Sequence, residues 1–302
     1  MSIEMWTPAA TELPAVVDAL RSWQSDGQPI QLHPGDLGWA WQMGAEGLAG
    51  RIRLWSRRGE IAAVGLLDGP DVLRLGIAPG AAEDSAFAES IVADLSTPAR
   101  HVLPDGEVSV EARFGSAIRS ALTDRGWQPG ELWAPFVLGP DVRLPDVGLP
   151  VVSIGAGRDA SSGHATDDVE RIAAWSGVHA AAFGSTRFTV ARWRTMAAGY
   201  PYGSARCLLA VDPELGPVAT SIVWSAGPGR PGLIEPLGVE PSARGRGLGR
   251  AITLASAQAL RSMGSSSVLV CTPVANSPAP EAYASAGFQR LPDAADFRLD
   301  RA

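Results

Sequence analysis

Two short strings recur along this chain at almost the same separation, and that recurrence limits its fold more than any other feature. Leu75-Gly76-Ile77-Ala78-Pro79 is echoed by Leu237-Gly238-Val239-Glu240-Pro241, 162 positions on. Gly126-Trp127 is echoed by Gly287-Phe288, 161 positions on. Two separate anchors agreeing within one residue imply an internal duplication. Between the copies, residues 139–150 carry the proline and glycine punctuation of a linker. The chain has 302 residues, enough for two ordinary domains, and the expected division is 1–146 and 147–302.

Strand and helix signals recur in the same order on both sides of the linker. In the second half, residues 151–154, 206–211, 218–224, 233–239, 268–272 and 297–299 read as strands, from β-rich runs bounded by turn residues. Apolar spacing near 3.6 residues predicts helices over 167–182, 188–198, 248–263 and 279–286. The first half is a weaker copy. Strands are expected at 52–55, 61–67, 72–77 and 108–112, and helices at 13–23, 85–95 and 118–124. A last run at 132–138 is expected to close that unit. The fold class is therefore α/β, with strands and helices mixed in both halves.

The chemically informative stretch is Arg244-Gly245-Arg246-Gly247-Leu248-Gly249-Arg250, directly after a strand and directly before a helix. Glycines at alternate positions let the backbone turn tightly and admit a ligand without a Cβ in the way. Their N–H groups, with those of the first helical turn, form a concave donor set at the positive end of the helix dipole. The arginines add formal charge, so the loop suits a diphosphate. A dinucleotide fingerprint fails, since its third glycine would fall on Arg250, and a Walker loop fails because the chain has no lysine.

Arg-x-x-Gly-x-Gly after a strand resembles the cofactor loop of the GNAT superfamily of acyl-CoA N-acyltransferases. Further on, residues 276–288, with Asn276, Ala279, Tyr283 and Gly287-Phe288, resemble that superfamily's second signature, in order and at the expected distance. The resemblance covers residues 150–302 well and 1–140 in outline. It implies tandem folds, each a mixed, mostly antiparallel sheet flanked by helices, with the N-terminal copy degenerate. It also implies that acetyl-CoA is a co-substrate gripped at its pyrophosphate by Arg244, Gly245, Arg246, Gly247, Leu248, Gly249 and Arg250. The pantetheine arm would pair with Leu237, Gly238 and Val239 in a gap between two splayed strands. Pro236 lacks an N–H and predicts a bulge there. Asn276 would contact the same arm or cap the following helix. No metal is implied.

Acetyl transfer needs a neutral amine. At pH 7 a lysine-like amine costs roughly 4.6 kcal/mol to deprotonate and an α-amine only about 1.4 kcal/mol. Glu235 is the leading candidate base, on strand parity with Leu237 and Val239. Apolar Leu233, Ile234 and Leu237 are expected to raise its pKa. The alternative is that Glu235 orients substrate or pairs with an arginine. His179 is a weaker candidate base, or simply packs its helix. By the resemblance, Tyr283 protonates the departing thiolate; the plainer reading is packing of the last helix.

Aligned by the anchors, Ala82, Glu83, Asp84, Ser85, Ala86 and Phe87 fall where the glycine loop stands in the second half. Gly115 replaces Asn276 and Leu122 replaces Tyr283. Acids where phosphates would sit repel them, by about 4 kcal/mol for unit charges ~4 Å apart at intermediate dielectric. The first half is thus expected not to bind coenzyme A in the usual way, and to cover a sheet edge or wall the acceptor pocket. Trp39 and Trp41 either line that pocket or pack between the halves. Arg57-Arg58 reads as a solvated turn.

Composition restricts the remaining choices. A net charge of −7 argues against general nucleic-acid binding. No apolar run reaches the ~18 residues of a membrane helix, and the start lacks signal-peptide character, so a cytoplasmic location is expected. Cys207 and Cys271 fit reduced residues of buried strands. All 25 basic residues are arginine, which fits a GC-rich bacterial genome and leaves no lysine to acetylate.

A tandem arrangement with a worn first copy resembles the mycothiol synthases. The expected function is N-acetyl transfer from acetyl-CoA to a primary amine of a small molecule. A protein or peptide N-terminal acetyltransferase and a non-catalytic acyl-CoA sensor are the alternatives. The acceptor's identity, the acyl length and the oligomeric state stay open at this stage.

Overall fold

A computed structural model describes residues 3–154, 165–276 and 278–301. The first half runs β1 (Met5–Trp6), α1 (Leu13–Trp23), α2 (Pro34–Ala40), α3 (Ala45–Ala49), β2 (Ile52–Arg57), β3 (Glu60–Leu67), β4 (Val72–Ile77), α4 (Ser85–Ser96), β5 (Gly106–Glu111), α5 (Ser116–Asp124) and β6 (Gln128–Leu138). The second runs β7 (Val151–Ile154), α6 (Ala165–Phe183), α7 (Val190–Ala197), β8 (Ala205–Asp212), β9 (Gly216–Ser225) and β10 (Gly232–Val239). It ends with α8 (Leu248–Ser262), β11 (Val268–Pro273), α9 (Pro278–Ser285), β12 (Gln289–Arg290) and β13 (Ala294–Arg301).

The helices form where apolar residues recur every three to four positions. On α1, Leu13, Val16, Val17 and Leu20 are fully buried while the polar residues face out. α2 was not apparent from sequence, because Gly35 and Gly38 lower its helix propensity and it is only two turns long. Its start is capped twice: the His33 ring accepts the Gly35 N–H at 3.0 Å, and the Asp36 carboxylate accepts the His33 N–H at 2.6 Å. The glycines are needed for packing. A Cβ at Gly35 or Gly38 would lie 2.5 or 2.3 Å from the Trp224 ring of the second half.

All strands join one sheet in the order β1-β2-β3-β4-β5-β13-β6-β11-β10-β9-β8-β7, with β12 also on β6. The expectation that residues 132–138 close the first unit is overturned. β6 pairs along its C-terminal half with β11 of the second half, Leu138 opposite Val268 and Trp133 opposite Pro273. β13 in turn pairs with β5 of the first half, Phe297 opposite Val110. The two halves have exchanged their last strands, and their cores are stitched accordingly. Phe136 belongs to the cluster of Ile252, Val270 and Tyr283, whereas Phe297 belongs to that of Ile91, Val110 and Trp127.

Each half keeps one parallel pair, and both pairs are short. β4 and β5 are in register only from Val72 to Arg74, and β10 and β11 only at Gly232 and Leu233. Beyond these residues the strands of each pair part. Helices cover both faces: α4, α5, α8 and α9 on one, and α1, α2, α6 and α7 on the other, each over its own apolar cluster.

Candidate active site

After β10 the chain makes a 3-10 turn at Pro241–Ala243 and enters the glycine loop, and α8 starts at Leu248. Gly245 and Gly247 both have φ +79°, a conformation that side chains with a Cβ adopt at a cost. No atom lies within 4 Å of where a Cβ would stand at either residue, so nothing packs on the loop there. Gly249 differs: its Cβ position is 3.3 Å from Ala282 Cβ, so it serves the packing of α8 on α9. Leu248 is buried beneath the loop. Arg244 donates to the Ala182 carbonyl at 3.3 Å and Arg250 to the Ser285 carbonyl at 2.9 Å. These two arginines brace the loop to α6 and α9, while Arg246 stands exposed in it.

The gap beyond Leu233 is bordered by the last residues of β10. Leu237, Gly238 and Val239 pair on one side with Ser221, Thr220 and Ala219 of β9. The Glu240 N–H also points to β9, donating to Val218 at 2.8 Å, so the preceding N–H of Val239 points the other way, into the gap. α6 lies tightly on this strand, because a Cβ at Gly238 would fall 2.7 Å from Ala182 Cβ. Ile234 faces Val223 and Leu237 faces Ser221, so the expected bulge is present at Glu235 and Pro236, whose peptide is cis. The same bulge corrects the parity expectation. The extra residue shifts the alternation, so Leu237 shares the face of Ile234 rather than that of Glu235.

Tyr283 is buried with its ring edge-on to Phe136 at 5.4 Å, and its hydroxyl makes no hydrogen bond among the described residues. Burial, with Cys271 and Glu235 nearby, pushes its pKa well up, so the phenol keeps its proton. Asn276 is exposed and donates to Thr272 Oγ1 at 3.0 Å, and its neighbour Ser277 lies outside the described residues.

The Glu235 carboxylate has partners that sequence reading missed, and they come from the first half. Arg74 of β4 reaches Glu235 Oε1 at 3.3 Å, Asp36 Oδ1 at 2.9 Å, Glu111 Oε2 at 3.2 Å and Asp68 Oδ2 at 3.6 Å. Arg113 joins Glu111 at 3.2 Å to Asp296 of β13 at 3.1 Å, and Trp133 Nε1 donates to Asp296 at 2.7 Å. The expectation of a raised Glu235 pKa is thereby corrected. Burial does push it up, but the Arg74 guanidinium and a hydrogen bond from Asp36 outweigh this and leave the carboxyl below its ordinary value. Asp36 is the opposite case: burial outweighs Arg74 and, with the nearby Glu235, holds its pKa well above normal. The sequence did hold one signal, a charged Arg74 between Leu73 and Leu75 in an otherwise apolar strand. Asp36, Arg74, Arg113, Glu235 and Cys271 line a small cavity of about 20 Å³ between the halves.

His179 stacks on Trp175 at 5.1 Å among Trp39, Phe183 and Phe188, and burial lowers its pKa to about 4. Trp39 stacks on Phe188 at 4.7 Å, and Trp41 is buried against Gly199, so both tryptophans pack between the halves. In the first half the gap between β4 and β5 is filled from within. Gln31 Oε1 accepts the Ile77 N–H at 2.8 Å, the group that matches the Val239 N–H. Asp84 caps α4 at the Phe87 N–H and pairs with Arg57 at 2.6 Å, and Glu83 accepts the Ser116 hydroxyl. Arg57 is therefore an ion-paired residue and not simply solvated. Cys207 and Cys271 are free thiols on β8 and β11.

Residues 184–288 match the family model described as Acetyltransferase (GNAT) family. A mycothiol acetyltransferase of Arthrobacter sp. (strain FB24) is 31% identical over 240 residues, covering 74% of this chain and 68% of the relative. The chain belongs to the GNAT acetyltransferase family. GNAT-fold neighbours of known structure agree in architecture. An acetyltransferase from the GNAT family of Colwellia psychrerythraea superposes with a TM-score of 0.60 at 13% identity, covering 100% of both chains. A tandem GNAT protein from the clavulanic acid biosynthesis pathway superposes with a TM-score of 0.59 at 15% identity, covering 100% of this chain and 99% of that one. The protein is thus an acyltransferase on a tandem GNAT scaffold. Among the described residues no helix is long and apolar enough to cross a membrane, and no group of His, Cys, Asp or Glu is arranged to hold a metal ion.

Proposed function

We propose that this GNAT enzyme transfers an acetyl group from acetyl-CoA to a primary amine of a small molecule held between its two halves. The observation that carries this reading is the part-accessible Glu235 carboxylate on β10, closed over by Arg74 of β4 and Asp36 of α2 from the other half, beside the gap that the Val239 N–H faces. A protein or peptide terminus would need an open groove in its place. The likeness to a mycothiol acetyltransferase also fits a small-molecule acceptor. The amides around Gly245 and Gly247 take the diphosphate, and the Val239 N–H pairs with the amide arm that follows it.

When bound, acetyl-CoA supplies an activated acyl carbon. Ionised Glu235 draws in the acceptor's ammonium group, and Asp36 and Arg74 hold that carboxylate in place. The ammonium loses one proton by way of Glu235 to water, an easy step for an α-amine, at about 1.4 kcal/mol at pH 7. The nitrogen lone pair then forms the C–N bond as the C–S bond breaks. Tyr283 gives its proton to the departing sulfur, and the second proton on nitrogen passes through solvent to the phenolate and restores the phenol. Release of free thiol from acetyl-CoA over a panel of small primary amines tests the reading. Turnover that needs a small amine supports it. Turnover only with peptide N-termini, or saturable acetyl-CoA binding with no turnover on any amine, overturns it.

A further inference from the structure

We propose that Arg74, supplied by the half that lacks a glycine loop, is a positioning residue of the transfer reaction, clamping the Glu235 carboxylate against Asp36 and Glu111 at the mouth of the cavity. The proposal rests on the reading of Glu235 as the acid that meets the acceptor. Its basis is geometry. One guanidinium, four-fifths buried, touches four carboxylates from four separate segments: Asp36 on α2, Asp68 after β3, Glu111 on β5 and Glu235 on β10. Of the four, Asp36 is buried and Glu111 mostly so, whereas Glu235 keeps 34% of its side chain accessible and lines the cavity. Arg74 does not hold itself in place. Glu111 is gripped by Arg113, and Arg113 by Asp296 on the exchanged strand β13. A chain of ion pairs therefore runs from the exchanged C-terminal strand to the acid at the acceptor site.

Among the groups facing Glu235, Arg74 is the close positive partner, which makes its role separable. His33 is held neutral by burial, with its pKa lowered to about 4, and burial raises the Cys271 thiol to about 11. Burial pushes Tyr283, Asp36 and Asp68 up. Glu111 spends its charge on Arg74 and Arg113. Arg74 is then the nearest source of positive charge for Glu235. Without it, carboxylates crowd one site with only the more distant Arg113 to offset them, and Glu235 must take up a proton or swing away.

Infrared difference spectra test this without an acceptor. Spectra of the whole chain minus those of its Glu235→Gln variant, taken from pH 3 to 8, isolate the carboxyl band of Glu235. In the wild type the band should titrate below the ordinary glutamate value of about 4.3. In an Arg74→Gln background it should move up by about 1–3 pH units, and Arg74→Lys should restore most of the shift. The acid limb of kcat/KM for the best amine of the panel should move with it. An unchanged midpoint in folded Arg74→Gln, with only a lower melting temperature, would show that Arg74 merely ties the halves together. A wild-type midpoint above the ordinary value overturns the proposal however the variants fold. Calorimetric titration with acetyl-CoA separates this from failure of the acetyltransferase reading: affinity should stay within about twofold in Arg74→Gln, whereas no binding to the wild type would sink the broader reading instead.

Discussion

At the scale of single residues, two positions separate binding from chemistry. Tyr283 packs through its ring on Phe136 and Phe288, and its hydroxyl has no protein partner among the described residues. Tyr283→Phe should therefore leave the melting temperature and acetyl-CoA affinity nearly unchanged while turnover falls roughly 100-fold or more, the range for loss of a general acid. Steady-state kinetics beside calorimetry would read both, and unchanged turnover would return Tyr283 to a packing role. Gly247 is the converse case. It sits at φ +79°, so Gly247→Val strains the backbone by ~1–2 kcal/mol and disturbs the turn that presents the cradle's N–H groups. Acetyl-CoA affinity should drop at least tenfold; wild-type affinity in a folded variant would rule out the cradle as the diphosphate site. These residues were legible because their types and spacing carry their chemistry locally. Arg74 and Asp36 were not, since nothing near them in sequence tells which carboxylate 161 or 199 positions away they will meet.

At the scale of elements, the strands and longer helices were legible because each has a period and a boundary residue of its own. α1 and β4 begin and end where apolar spacing put them. α2 was hidden because its two glycines answer to Trp224, a residue of another element. The same helix makes the molecule acid-sensitive. His33 at its start and His179 on α6 are both lowered by burial to about 4. In the unfolded chain they titrate near 6.5, so between pH 6.5 and 4 the unfolded state binds more protons than the folded one. Stability should fall as pH drops through that window, by at most about 3 kcal/mol for each histidine. Thermal melts at pH 7, 5.5 and 4.5 would follow the decline. His179→Phe, which keeps an aromatic ring among Trp39, Trp175 and Phe188, should flatten part of it. An equally steep decline in the variant would place the acid sensitivity elsewhere.

At the scale of the whole molecule, the strand exchange was beyond the reach of sequence. β6 and β13 both read as alternating apolar strands, and nothing in either specifies which sheet edge receives it. Each half is left incomplete by the exchange. Residues 1–146 alone would hold β6 without β11 and expose the free edge of β5, and residues 147–302 alone would hold β13 without β5 and expose the edge of β11. Phe297 and Phe136, each buried in the other half's core, would meet water, at a cost of roughly 2–3 kcal/mol apiece before any loss of sheet pairing. Open strand edges of this kind also invite aggregation. We therefore expect each fragment expressed alone to be insoluble or molten, and the two co-expressed to form a stable one-to-one complex. That complex should melt in a single transition, because β13, Arg113, Glu111 and Arg74 run unbroken from one half into the acid site of the other. Size-exclusion chromatography and calorimetry on the co-expressed pair would check both points. Two independent transitions, or a 147–302 fragment that folds and turns over by itself, would mean that the first half contributes neither a needed strand nor Arg74.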